Sequence, residues 1–314
     1  MRDSFIRSLT QLLESRDDVI LLTADLGFGI FTDISERFPD RFVNVGVAEQ
    51  NMIGVATGLA LDGWTVFAYS IGNFSTLRCL EQIRNDAAYH EANVNVVASG
   101  GGFTYGALGM SHHATEDLSI MRALPGVELV APCDAFESAA ATLELARRPG
   151  VGYLRIEKNV PFDSSATGGS FEIGRARVLR LGGDVTLIAT GGIVVEAIRA
   201  SDALARAGIS AAVVSMHTLT PFDAEAVRRA ALETRAIVTI EENNIVGGLG
   251  GAVAEVLAEL GAGVRFARIG MPSIYSSIVG DQDYLRQRYS LDSPAIERTV
   301  LGLLDQPVRQ MAFR

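Results

Sequence analysis

Through the first half of this chain, short apolar runs alternate with segments whose apolar positions recur every three or four residues. Residues 19–23, 42–47, 65–69, 94–98, 127–132 and 152–156 read as buried strands. Between them, Met52, Ile53, Ala56, Leu59 and Ala60 fall at helical spacing over residues 51–62. Residues 33–37 suggest a short helix and residues 135–147 a longer one. Leu77, Leu80 and Ile83 mark the face of another, with Arg78, Glu81, Arg84 and Asp86 turned outward. Strands alternating with helices predict a parallel sheet covered on both faces.

The second half repeats this logic on a smaller scale. Residues 185–190 predict a strand that leads through Gly191 and Gly192 into a helix ending near Ala207, with Gly208 as its C-cap. Residues 211–215 and 236–240 predict further strands. Residues 241–251 (Glu241 and Glu242 through Gly251) read as a glycine-rich turn opening a helix. The small, polar residues 164–170 are the best linker candidate. The expected fold class is α/β with two doubly wound domains, 1–163 and 175–314, joined by a linker at 164–174.

With 314 residues and 48% hydrophobic content, the chain has room for one large or two ordinary cores. A net charge of −10 argues against nucleic acid or an anionic membrane surface as partner. Cys79 and Cys133 lack metal-ligand spacing and suit core thiols in a reducing cytosol. The first residues run straight into an amphipathic pattern without a signal-peptide core, and no apolar run reaches membrane-spanning length. A cytoplasmic location is the expectation.

The candidate chemistry concentrates around Glu49. This carboxylate stands between a predicted strand and a predicted helix, at the carboxyl end of the strand, where open α/β sheets place their ligands. An acid favoured by the helix dipole is the plainer reading of the same residue. His112 and His113 adjoin at the end of a glycine-rich segment, 100–113, and suit a proton relay or a hydrogen-bond donor to a substrate hydroxyl near neutral pH. His90 and His217 gain no such support.

Residues 45–52, from Val45 through Glu49 to Met52, resemble the pyrimidine-binding domain of transketolase-like, thiamine-diphosphate-dependent enzymes. Four further segments agree in order and spacing: 21–26, 74–84, 111–117 and 241–251. The resemblance covers nearly the whole chain. It implies that Glu49 hydrogen-bonds the cofactor's ring nitrogen opposite the amino group and drives the imino tautomer, in a desolvated pocket. It implies that Phe74 stacks on the pyrimidine, the alternative being an ordinary core aromatic. Arg78 either points to the cofactor or pairs with a surface acid. Asp25 helps fix the cofactor across a subunit contact, or caps a turn, and Leu26 supports the cofactor's bent shape. His112 is the substrate-side candidate. His113 stands where relatives commonly have Gln, and Glu116 and Asp117 are expected to cap the following helix.

The family's Gly-Asp-Gly motif, which with a later Asn binds the cofactor's Mg2+ and diphosphate, does not occur; the chain has only Gly183-Asp184-Val185 and Gly280-Asp281-Gln282. The resemblance therefore implies the second half of a split enzyme, with an N-terminal diphosphate-binding subunit as partner in an α2β2 heterotetramer. The isolated chain is expected to form a homodimer that binds thiamine diphosphate poorly. The implied reaction moves a two-carbon ketol unit from a ketose to an aldose. Where transketolase contacts sugar through a His-Asp pair, this chain has Ser99 followed by Gly100, Gly101 and Gly102, which open space. Ala107, Leu108 and Gly109 replace the acidic loop residues, and Lys158 replaces a phosphate-gripping arginine with a point charge beside Glu157. These departures suggest a sugar other than the usual pentose phosphates. The alternatives are a deoxyxylulose-phosphate-synthase-like activity on pyruvate, a β subunit of a 2-oxo acid dehydrogenase, and a non-catalytic assembly module.

Overall fold

The computed structural model describes residues 1–305 apart from Phe28, Asn159 and Gly168. The expected linker therefore includes one position, and the expected second domain its last nine, that lie outside the described residues. Twelve strands are described: β1 (Val19–Thr23), β2 (Phe42–Asn44), β3 (Thr65–Ile71), β4 (Val94–Ser99), β5 (Val127–Val130), β6 (Val151–Ile156), β7 (Arg177–Arg180), β8 (Val185–Thr190), β9 (Ala211–Ser215), β10 (Thr218–Thr220), β11 (Ala236–Asn244) and β12 (Arg265–Met271). They form a seven-stranded sheet in the order β10-β5-β6-β4-β3-β1-β2 and a five-stranded sheet in the order β12-β11-β8-β9-β7. All pairings are parallel except those of the edge strands β10 and β7. Strands β1, β4, β6, β8 and β9 are buried at every residue. That is the signature of a sheet covered on both faces, and it explains why their sequences are continuous apolar runs without alternation.

The helix Arg2–Ser15 lays Phe5, Leu9, Leu12 and Leu13 against one face of the large sheet, beside the helix Ala135–Leu145. The helix Glu49–Leu61 covers the other face with Met52, Ile53 and Ala56. The same core also takes in Val214, Met216, Leu219, Leu249 and Val253 from the second half. Strand β10, from the second half, pairs with β5 of the first. The two sheets thus share packing, and elements of the second half lie within reach of the strand ends of the first.

Three local expectations change. The segment after β3 is not one helix: Gly72–Ser75 and Leu80–Gln82 are short, and Ile83–Ala88 winds in wider π turns. Leu77 is exposed while Cys79 faces the core, because Asn73 is tied across to another loop and interrupts the register. The strand expected over 42–47 stops at Asn44, where Gly46 turns with φ +76°. Strand β11 runs on through Glu241 and Glu242, which the sequence pattern assigns to a turn, because β8 pairs with it as far as Glu241, β12 pairs with it again at Asn244, and both carboxylates find buried partners. No described helix is long and apolar enough to cross a membrane.

Candidate active site

The carboxyl ends of β1 to β4 converge on one edge of the large sheet. Glu49 opens the helix Glu49–Leu61 there and is 2% exposed. Its Oε2 accepts a 2.6 Å hydrogen bond from Arg78, whose side chain remains 43% exposed. The Arg78 guanidinium in turn lies 4.3 Å from the centre of the Phe74 ring, a cation–π contact. The His112 ring meets Phe74 edge-on with centroids 5.2 Å apart, and Ser111 Oγ lies 3.0 Å from His112 Nδ1. A continuous row of carboxylate, guanidinium, phenyl and imidazole results, from residues up to 63 positions apart in sequence. Of the two open readings of Arg78, the structure shows an ion pair, and its partner is the site carboxylate instead of a surface acid. Cys79, next in sequence, has its thiol pushed up to about 12 by burial, with the Glu49 charge adding to the effect.

Asp25 sits at the tip of β1 with φ +54°, a strained conformation held by Asn44, whose Oδ1 accepts from the Asp25 backbone N–H at 2.9 Å. The Leu26 carbonyl accepts from Thr23 Oγ1 at 3.0 Å. Both are half-buried and lie beside β2, whose end leads to Glu49. Lys158 is exposed after β6, and no contact joins it to the row formed by Glu49, Arg78, Phe74 and His112.

His113 points the other way from its neighbour. It is buried, its Nε2 pairs with the Gly106 carbonyl at 3.0 Å, and its ring meets Phe103 edge-on. Asn73 donates to the carbonyls of Ser111 and His113, at 3.3 and 2.7 Å, which fastens the histidine loop to the element carrying Phe74. Asn73 Oδ1 and His113 Nδ1 are buried without partners. Both residues line a cavity of about 160 Å³, together with Leu77, Met110, Glu116 and Tyr275.

The glycines at 100–102 do not open space, contrary to the expectation. A Cβ at Gly100 would strike the Tyr105 ring, one at Gly101 Arg155, and one at Gly102 the Glu242 carboxylate. The expectation that Glu116 and Asp117 cap the next helix also fails: Glu116 makes no capping bond, and Asp117 is buried against Arg155 Nε at 3.2 Å and Tyr153 OH at 3.0 Å. Glu157 turns inward toward Gln282 and Arg286.

A group that sequence reasoning misses lies behind the loop. Arg155, Asp117, Glu157, Glu242, Gln282 and Arg286 form a buried polar cluster between the two sheets. Burial raises the carboxyl pKa values of Asp117 and Glu157, the latter with the neighbouring Glu242 charge adding to it. The one hint in the sequence is that Arg155 falls within a strand expected to be buried. Nearby, Glu241 accepts from the backbone N–H groups of Leu249 and Gly250 at 2.8 Å each, so the glycine-rich helix start holds the chain's own carboxylate. Among the described residues no three His, Cys, Asp or Glu side chains gather to hold a metal ion.

Residues 1–160 match the transketolase pyrimidine-binding-domain family, and residues 174–296 match the transketolase C-terminal-domain family. The chain is 38% identical over 299 residues to a 6-deoxy-6-sulfo-D-fructose transketolase subunit of Clostridium sp. (strain MSTE9), covering 95% of this chain and 92% of that one. It is 36% identical over 302 residues to an apulose-4-phosphate transketolase subunit of Phocaeicola vulgatus, covering 96% of each. Among solved structures, a split-gene transketolase described as an inactive beta4 tetramer superposes with a TM-score of 0.90 at 34% identity, over 98% of this chain and 99% of that one.

Proposed function

The chain belongs to the transketolase family, and from that premise we propose that it is the C-terminal, pyrimidine-side subunit of a split transketolase that transfers a two-carbon ketol unit from a ketose to an aldose. The observation that supports the reading is the row Glu49–Arg78–Phe74–His112 at the strand ends. Its members suit a thiamine diphosphate: a buried carboxylate for the ring nitrogen, and an aromatic face for the pyrimidine. When bound, the cofactor supplies the nucleophilic carbon that carries the two-carbon unit.

The chain's own residues do the rest. Glu49 holds a hydrogen at its carboxyl oxygen for the ring nitrogen, which requires Arg78 to release it. Arg78 is half in solvent and free to turn toward an anionic group. Phe74 covers the ring and keeps water off it. His112, exposed on one side, gives or takes a proton at a substrate hydroxyl. Asp25 and Leu26 complete the cofactor contact. His113 and Asn73 line the cavity offered to the substrate, and Lys158 attracts an anionic tail. Sugars with an altered tail suit this arrangement, as do the names of the two relatives described above.

An N-terminal subunit holds the diphosphate and Mg2+, and the working assembly is α2β2. The test is reconstitution with that subunit and titration with 6-deoxy-6-sulfo-D-fructose, apulose 4-phosphate and pyruvate as donors. Transfer from a ketose, lost in Glu49→Gln while the complex stays assembled, supports the reading. Carbon dioxide released from pyruvate instead indicates the synthase-like alternative. Full activity of Glu49→Gln indicates an assembly module.

A further inference from the structure

The loop that carries His112 is closed at its base by a two-residue antiparallel bridge. Gly102 N–H donates to the Ala114 carbonyl at 2.9 Å, and Ala114 N–H returns to the Gly102 carbonyl at 3.0 Å. Beyond the bridge, this base is gripped from β6 and from β11 of the second sheet. Glu242 Oε1 accepts the Phe103 backbone N–H at 2.5 Å. Arg155 donates from one nitrogen to the Ala114 and Glu242 carbonyls, at 2.9 and 2.8 Å. The Asn244 backbone N–H donates to the Thr115 carbonyl at 2.5 Å. Gly102 adopts φ +58°, and a side chain there would collide with the Glu242 carboxylate, so the loop approaches that carboxylate as closely as a backbone allows.

Glu242 is itself fully partnered. It is 1% exposed, its Oε1 also accepts from Gln282 Nε2 at 2.9 Å, and its Oε2 pairs with Arg286 Nε. The loop is held a second time nearer its tip, where Leu285 and the Gly280 carbonyl press on Gly106. The His112 end is held by Phe74 edge-on, by the Ser111 hydroxyl, and by the Asn73 amide, which donates to the Ser111 and His113 carbonyls at 3.3 and 2.7 Å. Gly102, Gly106 and Gly109 interrupt the loop and limit its own stiffness, so its fixed base helps set where the imidazole stands.

We infer that Glu242, from the second half of the chain, is a positioning residue for His112: by holding the Phe103 amide beside Gly102, it places the imidazole against Phe74. The inference deepens the proposed function and rests on it for the role of His112. It does not rest on it for the geometry.

Two measurements separate these. In the isolated full chain, the His112 imidazole proton signals are assigned by their loss in His112→Ala and carry the ring-current shift of Phe74. Glu242→Ala should remove that shift while leaving the signals of the Phe5–Phe67–Tyr69 core in place. If the alanine variant does not fold, the double substitution Glu242→Leu with Arg286→Met removes both charges at similar volume, which proteins usually tolerate. It should show the same loss. An unmoved His112 signal in a folded variant of either kind overturns the inference.

In the reconstituted enzyme, Glu242→Ala should lower kcat/KM by about tenfold or more. In a His112→Ala background the same change should cost less than about twofold, since nothing is left to position. An equal loss in both backgrounds marks Glu242 as merely structural and overturns the inference. If the signal moves but His112→Ala retains full turnover, the role of His112 fails and the clamp stands.

Discussion

Two carboxylate–arginine arrangements lie on opposite sides of one loop, and they differ in the cation. Glu49 and Glu242 are both buried to within a few per cent, and each accepts a hydrogen bond from an arginine. Arg78 keeps 43% of its side chain in solvent, whereas Arg286 keeps 6%. Arg78 loses little if it turns away from Glu49, because water replaces the partner it leaves. Arg286 would be left charged and dry. A carboxylate with a wet partner is therefore open to a new ligand, and one with a dry partner is fixed in place. The chain uses the first at its candidate site and the second as the frame behind it.

The sharpest way to break this contrast is to remove one member of the buried cluster. Asp117→Ala leaves Arg155 without its carboxylate and should cost roughly 3–5 kcal/mol in urea unfolding. A loss near zero would mean that water reaches the cluster and the two regions are alike. Glu49→Gln should act in the opposite sense. It should lower turnover of the reconstituted enzyme by roughly 10²–10⁴-fold, with stability changed by less than about 1 kcal/mol.

Acid titration sharpens the contrast further. Burial holds the Glu241 pKa at about 7 against an ordinary 4.5, its two backbone donors offsetting only part of this. The folded chain thus binds that proton more tightly than the unfolded one does. Stability contributed by this group is full below pH 4.5, falls as pH rises toward 7, and is level above. The slope is up to about 1.4 kcal/mol per pH unit. Asp117 and Glu157, also raised by burial, act in the same direction. Urea unfolding of Glu241→Gln across this range should show a flatter profile than the parent; an unchanged slope would remove Glu241 from the account. A smaller effect than that of Asp117→Ala is expected for Arg78→Met: it should cost about 1–3 kcal/mol, because the guanidinium is half in water but the Glu49 carboxylate it leaves is buried. A loss approaching that of Asp117→Ala would erase the distinction.

Most of the architecture is legible in order along the chain. The buried strands β1, β3, β4, β6, β8 and β9 announce themselves as apolar runs, since a strand covered on both faces needs no polar position. One short edge strand is not legible: β10 has three residues, and it is a strand only because β5 offers it an open edge. The row from Glu49 to His112 is legible as separate residues, each marked by its motif. Their contacts are not.

The sequence by itself determined the α/β class, the family, and which acid, aromatic and imidazole to examine, because local period and motif identity are properties of neighbouring residues. Only the tertiary structure decided that Arg78 pairs with Glu49, that His113 turns inward, that Arg155, Tyr105 and Glu242 fill the space beside the three glycines, and that Glu242 reaches the base of the His112 loop across 139 positions. The physical reason is that a charge chooses its partner by distance and by how much water remains around it. Both are fixed only when the strand ends and the two sheets come together.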